Sequence, residues 1–180
     1  MTESEHLAKM HPWLRARVER AIAVWRAAAS AGEAIKLVES VRPLATQQSY
    51  HKAGKSKADG INRYSLHQYA PACAADVAVT RGGVYVASVS DPAWQRWGAC
   101  AEADGLEWGG RWQGLVDGPH VQIPLAERVK LVQAAVGVAA DGDWGPRTTA
   151  AVEARVPVRV GRSGWDALPL DGWATLCGLA

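Results

Sequence analysis

Two short stretches hold the residues best suited to chemistry. "SLHQYAPACAAD", residues 65–76, brings His67, Cys73 and Asp76 close together. "EWGGRWQGLVDGPH", residues 107–120, ends in Asp117 and His120. Imidazole nitrogen, carboxylate oxygen and thiolate sulfur are the protein donors that Zn2+ takes. A mononuclear zinc hydrolase needs three such ligands, an open position for water, and a base near the metal but not bound to it. The two histidines and two aspartates can fill those roles, and both stretches adjoin segments that read as strands. Spacing alone does not say which aspartate is ligand and which is base. Cys73 competes for a ligand position, because thiolate binds zinc well.

The elements that must position these groups follow from periodicity. Leu14, Val18, Ile22, Trp25 and Ala29 fall on one helical face, which predicts a helix from about Pro12 to Ala31 with Gly32 as its stop. "AIKLVESV" reads as a strand, "PLATQQSYH" as a short helix opened by Pro43, and "GKSKADGINR" as a loop. "AADVAV" and "VYVASV" flank the turn "TRGG" and predict a hairpin. Asp91 as N-cap, Pro92 at the first turn and Gly105 as the stop delimit another helix, and "HVQIPL" reads as a last short strand. Helices and strands mix without regular alternation, so an α+β domain is expected over residues 1–123.

Beyond Pro124 the texture changes. "LAERVKLVQAAVG" is helical, with Leu125, Val129, Val132 and Val136 on one face. "VAADGDWGPRT" is a loop, and "TTAAVEARV" is a second helix capped by Thr148. Residues 124–180 thus read as a small helical module, closed by a tail that holds Trp165 and Trp173.

Bulk composition excludes several classes. The chain has 180 residues and a formal net charge of +2, too near neutral for nucleic-acid binding as its main business. The lysine run at Lys52, Lys55 and Lys57 reads as a solvated loop. Three cysteines make no disulfide framework, which fits folding in a reducing compartment. The one stretch resembling an export signal, "RARVERAIAVWRAAASA", is interrupted by Arg26, so neither a signal peptide nor stable membrane association is expected. The nine tryptophans with no phenylalanine have no explanation in composition alone.

With these residues in view, "S-L-H", Asp76 before a strand, "WGGRW" and "DGPH" resemble the zinc peptidases that cut peptidoglycan stem peptides. This is the D-Ala-D-Ala carboxypeptidase and dipeptidase group, with its L-alanyl-D-glutamate endopeptidase branch among phage endolysins. Arg42 and Gln47 match the family's upstream Arg and Gln, and the resemblance covers roughly residues 10–123. It implies a small antiparallel sheet with flanking helices, the LAS or hedgehog-like metallopeptidase fold. It implies a Zn2+ cofactor held by His67, Asp76 and His120, with Asp117 as catalytic base and Arg42 stabilising the oxyanion. Ser65, Gln47 and Trp108 would contact substrate. One departure stands out: Asp76 follows His67 by nine residues, a loop two residues longer than the family's. Asp76 is preferred to Cys73 as ligand because it directly precedes the "VAV" strand, as the family's Asp does.

"VKLVQAAVGVAADGDWGPRTTAAVE" resembles a second family, the peptidoglycan-binding domain, through Asp141, Gly142, Trp144, Gly145, Thr148 and Val152. The match fades after Ala154. Gln133 and Trp144 either hold the loop on the helix pair or contact ligand, and for Trp144 the first is expected. Together the resemblances imply a monomeric cell-wall lytic enzyme, an endolysin of a phage or prophage kept in the host cytoplasm until lysis. Its partner would be peptidoglycan, and the bond cut would be L-Ala–D-Glu. The alternatives are D,D-carboxypeptidase or dipeptidase activity at the same zinc site, and a non-catalytic wall-binding protein.

Overall fold

The structure is a computed structural model that describes residues 1–178. A short helix α1 (Glu3–Ala8), unannounced by periodicity, opens the chain through a capping box: Thr2 and Glu5 each satisfy the other's backbone N–H. Helix α2 (Pro12–Ala27) starts at the expected proline but ends four residues before Ala31. Ser30 and Glu33 form a turn there instead, with the Glu33 carboxylate accepting from Ser30 N at 2.9 Å, and the chain reverses through Gly32.

Strand β1 (Glu33–Glu39), helix α3 (Leu44–Lys52), strand β2 (Ala74–Arg81) and a two-residue strand β3 (Val84–Tyr85) follow. The hairpin is shorter than "VYVASV" suggests, because only Tyr85 and Val84 pair with β2. Helix α4 (Pro92–Ala103) has Asp91 as its N-cap, accepting from Ala93 N. Strands β4 (Glu107–Trp108) and β5 (His120–Gln122) complete a five-stranded antiparallel sheet in the order β1-β2-β5-β4, with β3 on β2. The sheet is small and flanked by helices, as the α+β expectation had it.

Alternation along β2 decides which face is which. Ala75, Val77 and Val79 point into the core, where Trp25, Trp94 and Trp97 of α2 and α4 are fully buried. Burying a side chain of Val or Leu size contributes roughly 1.5–3 kcal/mol. Asp76, Ala78 and Thr80 point to the opposite, open face. A bulge between Leu37 and Glu39 on β1 brings Glu39 opposite Asp76, and Asp76 is in turn opposite His120 of β5. Three polar side chains therefore stand in one row across neighbouring strands.

The C-terminal part holds α5 (Leu125–Val136), α6 (Pro146–Arg155), a 3-10 segment (Gly161–Ala167) and α7 (Leu170–Leu176). Helix α6 begins at Pro146, with Gly145 as N-cap, so Thr148 is not the cap. Thr148 is buried instead and accepts a hydrogen bond from Gln133 Nε2 at 3.1 Å. Gln133 also donates to Asp141 and Asp143 and accepts from Gly142 N, which pins the loop to α5. Trp144 donates to Thr149 Oγ1 and does the same for α6. The tail then folds back onto the first 123 residues, with Trp165, Leu168 and Trp173 buried.

Candidate metal centre

His67 comes from a loop that backbone bonds define closely. Its carbonyl accepts from Arg42 N at 2.8 Å, and the carbonyl of Leu66 accepts from Cys73 N at 3.1 Å. Ser65 and Gln68 form the turn before it: Ser65 N donates to Gln68 Oε1, and Gln68 N to Ser65 O. Asp76 and His120 come from the β2–β5 pair. The three residues offer ligand atoms that all lie within 4.8 Å of one another. His67 Nε2 is 3.1 Å from His120 Nδ1 and 3.2 Å from Asp76 Oδ1, and His120 Nδ1 is 3.0 Å from that same oxygen.

The outer nitrogens show what this cluster is built to receive. His67 Nδ1 lies 2.8 Å from the carbonyl of Ser40, which only accepts, so its proton belongs on Nδ1. His120 Nε2 lies 3.1 Å from Gln122 Oε1, which places its proton on Nε2. Each imidazole then turns a lone pair inward, toward a carboxylate oxygen, in a buried site. Three converging acceptors with no donor between them fit a divalent cation, and the outer bonds are the kind that orient metal-binding histidines. Two imidazoles and one carboxylate are also a zinc-type donor set.

Arg42 closes the far side. It donates to Asp76 Oδ2 at 3.0 Å, to Gln47 Oε1 at 3.0 Å, and through both Nε and Nη2 to Glu39. Those bonds engage four of the five guanidinium N–H groups, one of them on Asp76, and tie that carboxylate to Glu39 and Gln47. The oxyanion role expected for Arg42 is left with one free N–H.

Asp117 enters from the loop before β5, where its N–H bonds to the carbonyl of Gly109 at 3.0 Å. Its pKa is raised, first by burial and then by the charge of Asp76, while His120, His67 and Arg42 pull the other way. It is therefore electrostatically part of the cluster without belonging to the His–Asp–His set. The "WGG" that precedes it is structural. The Trp108 ring lies against Gly98 and Gly110, where a Cβ would come within 2.1 and 2.2 Å of it, and its Nε1 donates to Gly118 O.

Two substrate-contact expectations give way on burial. Trp108 is 1% exposed, and Gln47 is fully buried with its amide occupied by Arg42, Ser56 and Ala58. Both brace the site from behind. Ser65 is half-buried at the turn before His67. Cys73 is outside the cluster: it is fully buried in the apolar core, and burial pushes its thiol pKa up, away from the thiolate a metal needs.

Sequence reasoning missed several groups. Glu39 anchors Arg42, Gln122 orients His120, and the Trp112 ring lies 4.9 Å from the His120 ring while donating to Glu107. Half-exposed Tyr85 is at the rim, with its pKa raised by burial and by the charges of Asp117 and Asp76. "WGGRW" put Trp112 in view; only cross-strand register identifies the others.

The chain is similar to known proteins over part of its length and in its fold. Residues 59–123 match the family model described as D-alanyl-D-alanine carboxypeptidase. That stretch contains His67, Asp76, Asp117 and His120, and Arg42 and Gln47 lie before it. The fold is similar to the crystal structure of the L-Ala D-Glu endopeptidase ChiX of Serratia marcescens, with a TM-score of 0.53 and 25% identity over 70% of this chain and 89% of that one. No curated protein sequence matches.

Proposed function

We propose that the protein is a zinc-dependent peptidoglycan peptidase that hydrolyses the L-Ala–D-Glu amide of cell-wall stem peptides. The observation that carries this is the inward convergence of two imidazole lone pairs and the Asp76 carboxylate beside a second, unengaged carboxyl, Asp117. Zn2+ held by His67, Asp76 and His120 would supply Lewis acidity and bring the pKa of water to about 7. Asp117, its pKa raised by burial, suits the general base: it takes the proton of the attacking water and returns it to the leaving amine nitrogen. Arg42 and Glu39 keep Asp76 aimed inward.

The bond assignment rests on the likeness to an L-Ala D-Glu endopeptidase. The description of the matching family model favours a second reading, D,D-carboxypeptidase activity at the same centre. Mass spectrometry of digested sacculi separates the two. New N-terminal D-Glu ends support the first, whereas loss of terminal D-Ala alone supports the second. Asp117→Ala is expected to retain metal and to release no product. Undiminished hydrolysis by that variant, or a wild-type chain that binds no divalent metal, would overturn the proposal.

A further inference from the structure

The loop between His67 and Asp76 is longer than the resemblance leads one to expect, and the C-terminal tail is where the peptidoglycan-binding pattern fades. In the structure these two departures meet. Trp173 donates its indole N–H to the carbonyl of Pro71 at 2.9 Å, and the Tyr69 hydroxyl donates to the carbonyl of Leu168 at 3.2 Å. The Tyr69 ring lies 5.3 Å from Trp165 and 6.3 Å, edge-on, from Trp173. Trp173 also lies 5.4 Å from the ring of His11, whose backbone N–H binds Ala72 O. Arg128 stacks on the other side of Trp165, 4.9 Å from its centroid, and bonds to Ile123 O just past β5. Tyr69, Ala72, Cys73, Trp165, Leu168 and Trp173 are all buried.

An aromatic pair that binds wall polymer must be open to it. Trp165 is 4% exposed and Trp173 1%, so neither presents a ring face to solvent. Both rings pack on Tyr69, and the Trp173 N–H is spent on Pro71. The segment 69–73 begins two residues after His67 and ends at the strand that carries Asp76.

We infer that the tail from Trp165 to Leu176 belongs to the catalytic unit: Trp173 and Tyr69 are positioning residues that fix the long loop, and through it His67, while binding to the wall is not the tail's task. The long loop lacks a short direct path between the two ligands, and the tail supplies the missing constraint from behind. This rests on the metal-centre reading above, and the experiment keeps the two apart.

Trp173→Ala, Trp173→Phe and Tyr69→Phe are compared with the wild-type full-length chain. Tyr69→Phe keeps its ring and deletes only the hydroxyl bond, and Trp173→Phe keeps a smaller aromatic ring without the indole N–H, so both report even if Trp173→Ala fails to fold. In the metal-free protein, amide hydrogen exchange at Arg42 and Cys73, whose N–H groups bind His67 O and Leu66 O, is expected to speed up at least tenfold in Trp173→Ala and severalfold in the Phe variants. Zn2+ affinity, read by competition with a chromophoric chelator, is expected to fall in the same order. The visible spectrum of the Co2+-loaded protein should change, and retention on purified sacculi should not. Unchanged exchange and unchanged metal affinity in folded variants overturn the inference, as does loss of sacculus binding with the metal site intact. A wild-type chain that binds neither Zn2+ nor Co2+ removes the metal reading instead, while altered exchange alone still upholds the loop clamp.

Discussion

Gln122 offers the sharpest test of the metal centre, because it touches no ligand atom and acts only on the outer nitrogen of His120. Its Oε1 lies 3.1 Å from His120 Nε2, and His120 is 7% exposed, so little water can replace it. In Gln122→Leu, the Nε2–H loses its acceptor. The proton then gains by moving to Nδ1, where Asp76 Oδ1 waits at 3.0 Å. That tautomer blocks the inward lone pair. Leaving a buried donor unpaired costs about 1–3 kcal/mol, and outer-shell substitutions commonly lower metal affinity about 10–100-fold. The two figures agree, since tenfold corresponds to about 1.4 kcal/mol. Chelator competition at fixed pH should therefore show Gln122→Leu binding Zn2+ about 10–100-fold more weakly, with near-ultraviolet circular dichroism unchanged. Gln122→Glu restores an acceptor and should recover most of the loss. Equal affinity in Gln122→Leu, or a Glu variant no better than Leu, would refute the tautomer argument.

Other outcomes are accessible to simple measurements. Asp76→Asn should lose stoichiometric metal by elemental analysis, while Cys73→Ser should keep it, since the Cys73 thiol lies in the core and outside the cluster. Gly110→Ala would place a Cβ 2.2 Å from the Trp108 ring, so denaturant unfolding should show a loss of about 1–3 kcal/mol from overpacking. The Asp59 carboxylate accepts from the N–H groups of Ile61, Asn62 and Arg63, and its pKa is lowered from 3.8. A depressed folded value means this contribution is present above the usual carboxylate range and is lost only as pH falls through the lower one. The carboxyl carbon of Asp59 should accordingly titrate below 3.8 in nuclear magnetic resonance. A midpoint at or above that value would contradict the loop geometry.

How far the sequence carries depends on how local each cause is. Strand β2 was legible because burial alternates along "AADVAVTR", and α4 because Asp91 and Pro92 are local start signals. The His67, Asp76 and His120 set was nameable because its residue types are rare and its motifs short. Gln122 was not, since an unremarkable glutamine gains its role only from alternating onto the same sheet face as His120. Glu39 was hidden by a bulge that no local pattern announced, and the bonds of Arg42 to Glu39 and Asp76 were hidden because those partners lie on two strands. Strand β4, only two residues long, exists through pairing with β5. Trp165 and Trp173 suggested a small core of their own, and their contacts with Tyr69 and Pro71 join residues about a hundred positions apart in the chain.

The placement of the nine tryptophans has an optical consequence. Trp25, Trp94, Trp97, Trp108 and Trp173 are shielded in the interior and should emit in the blue, indifferent to what binds on the sheet face. Trp13, Trp112 and Trp144 are partly exposed, and of these three it is the Trp112 ring that leans on His120, at 4.9 Å. A divalent cation bound at His120 places positive charge beside that indole and shifts its emission. Occupancy of the centre should therefore be readable as a change in red-edge emission from the unlabelled protein, a gauge the fold supplies with no added dye.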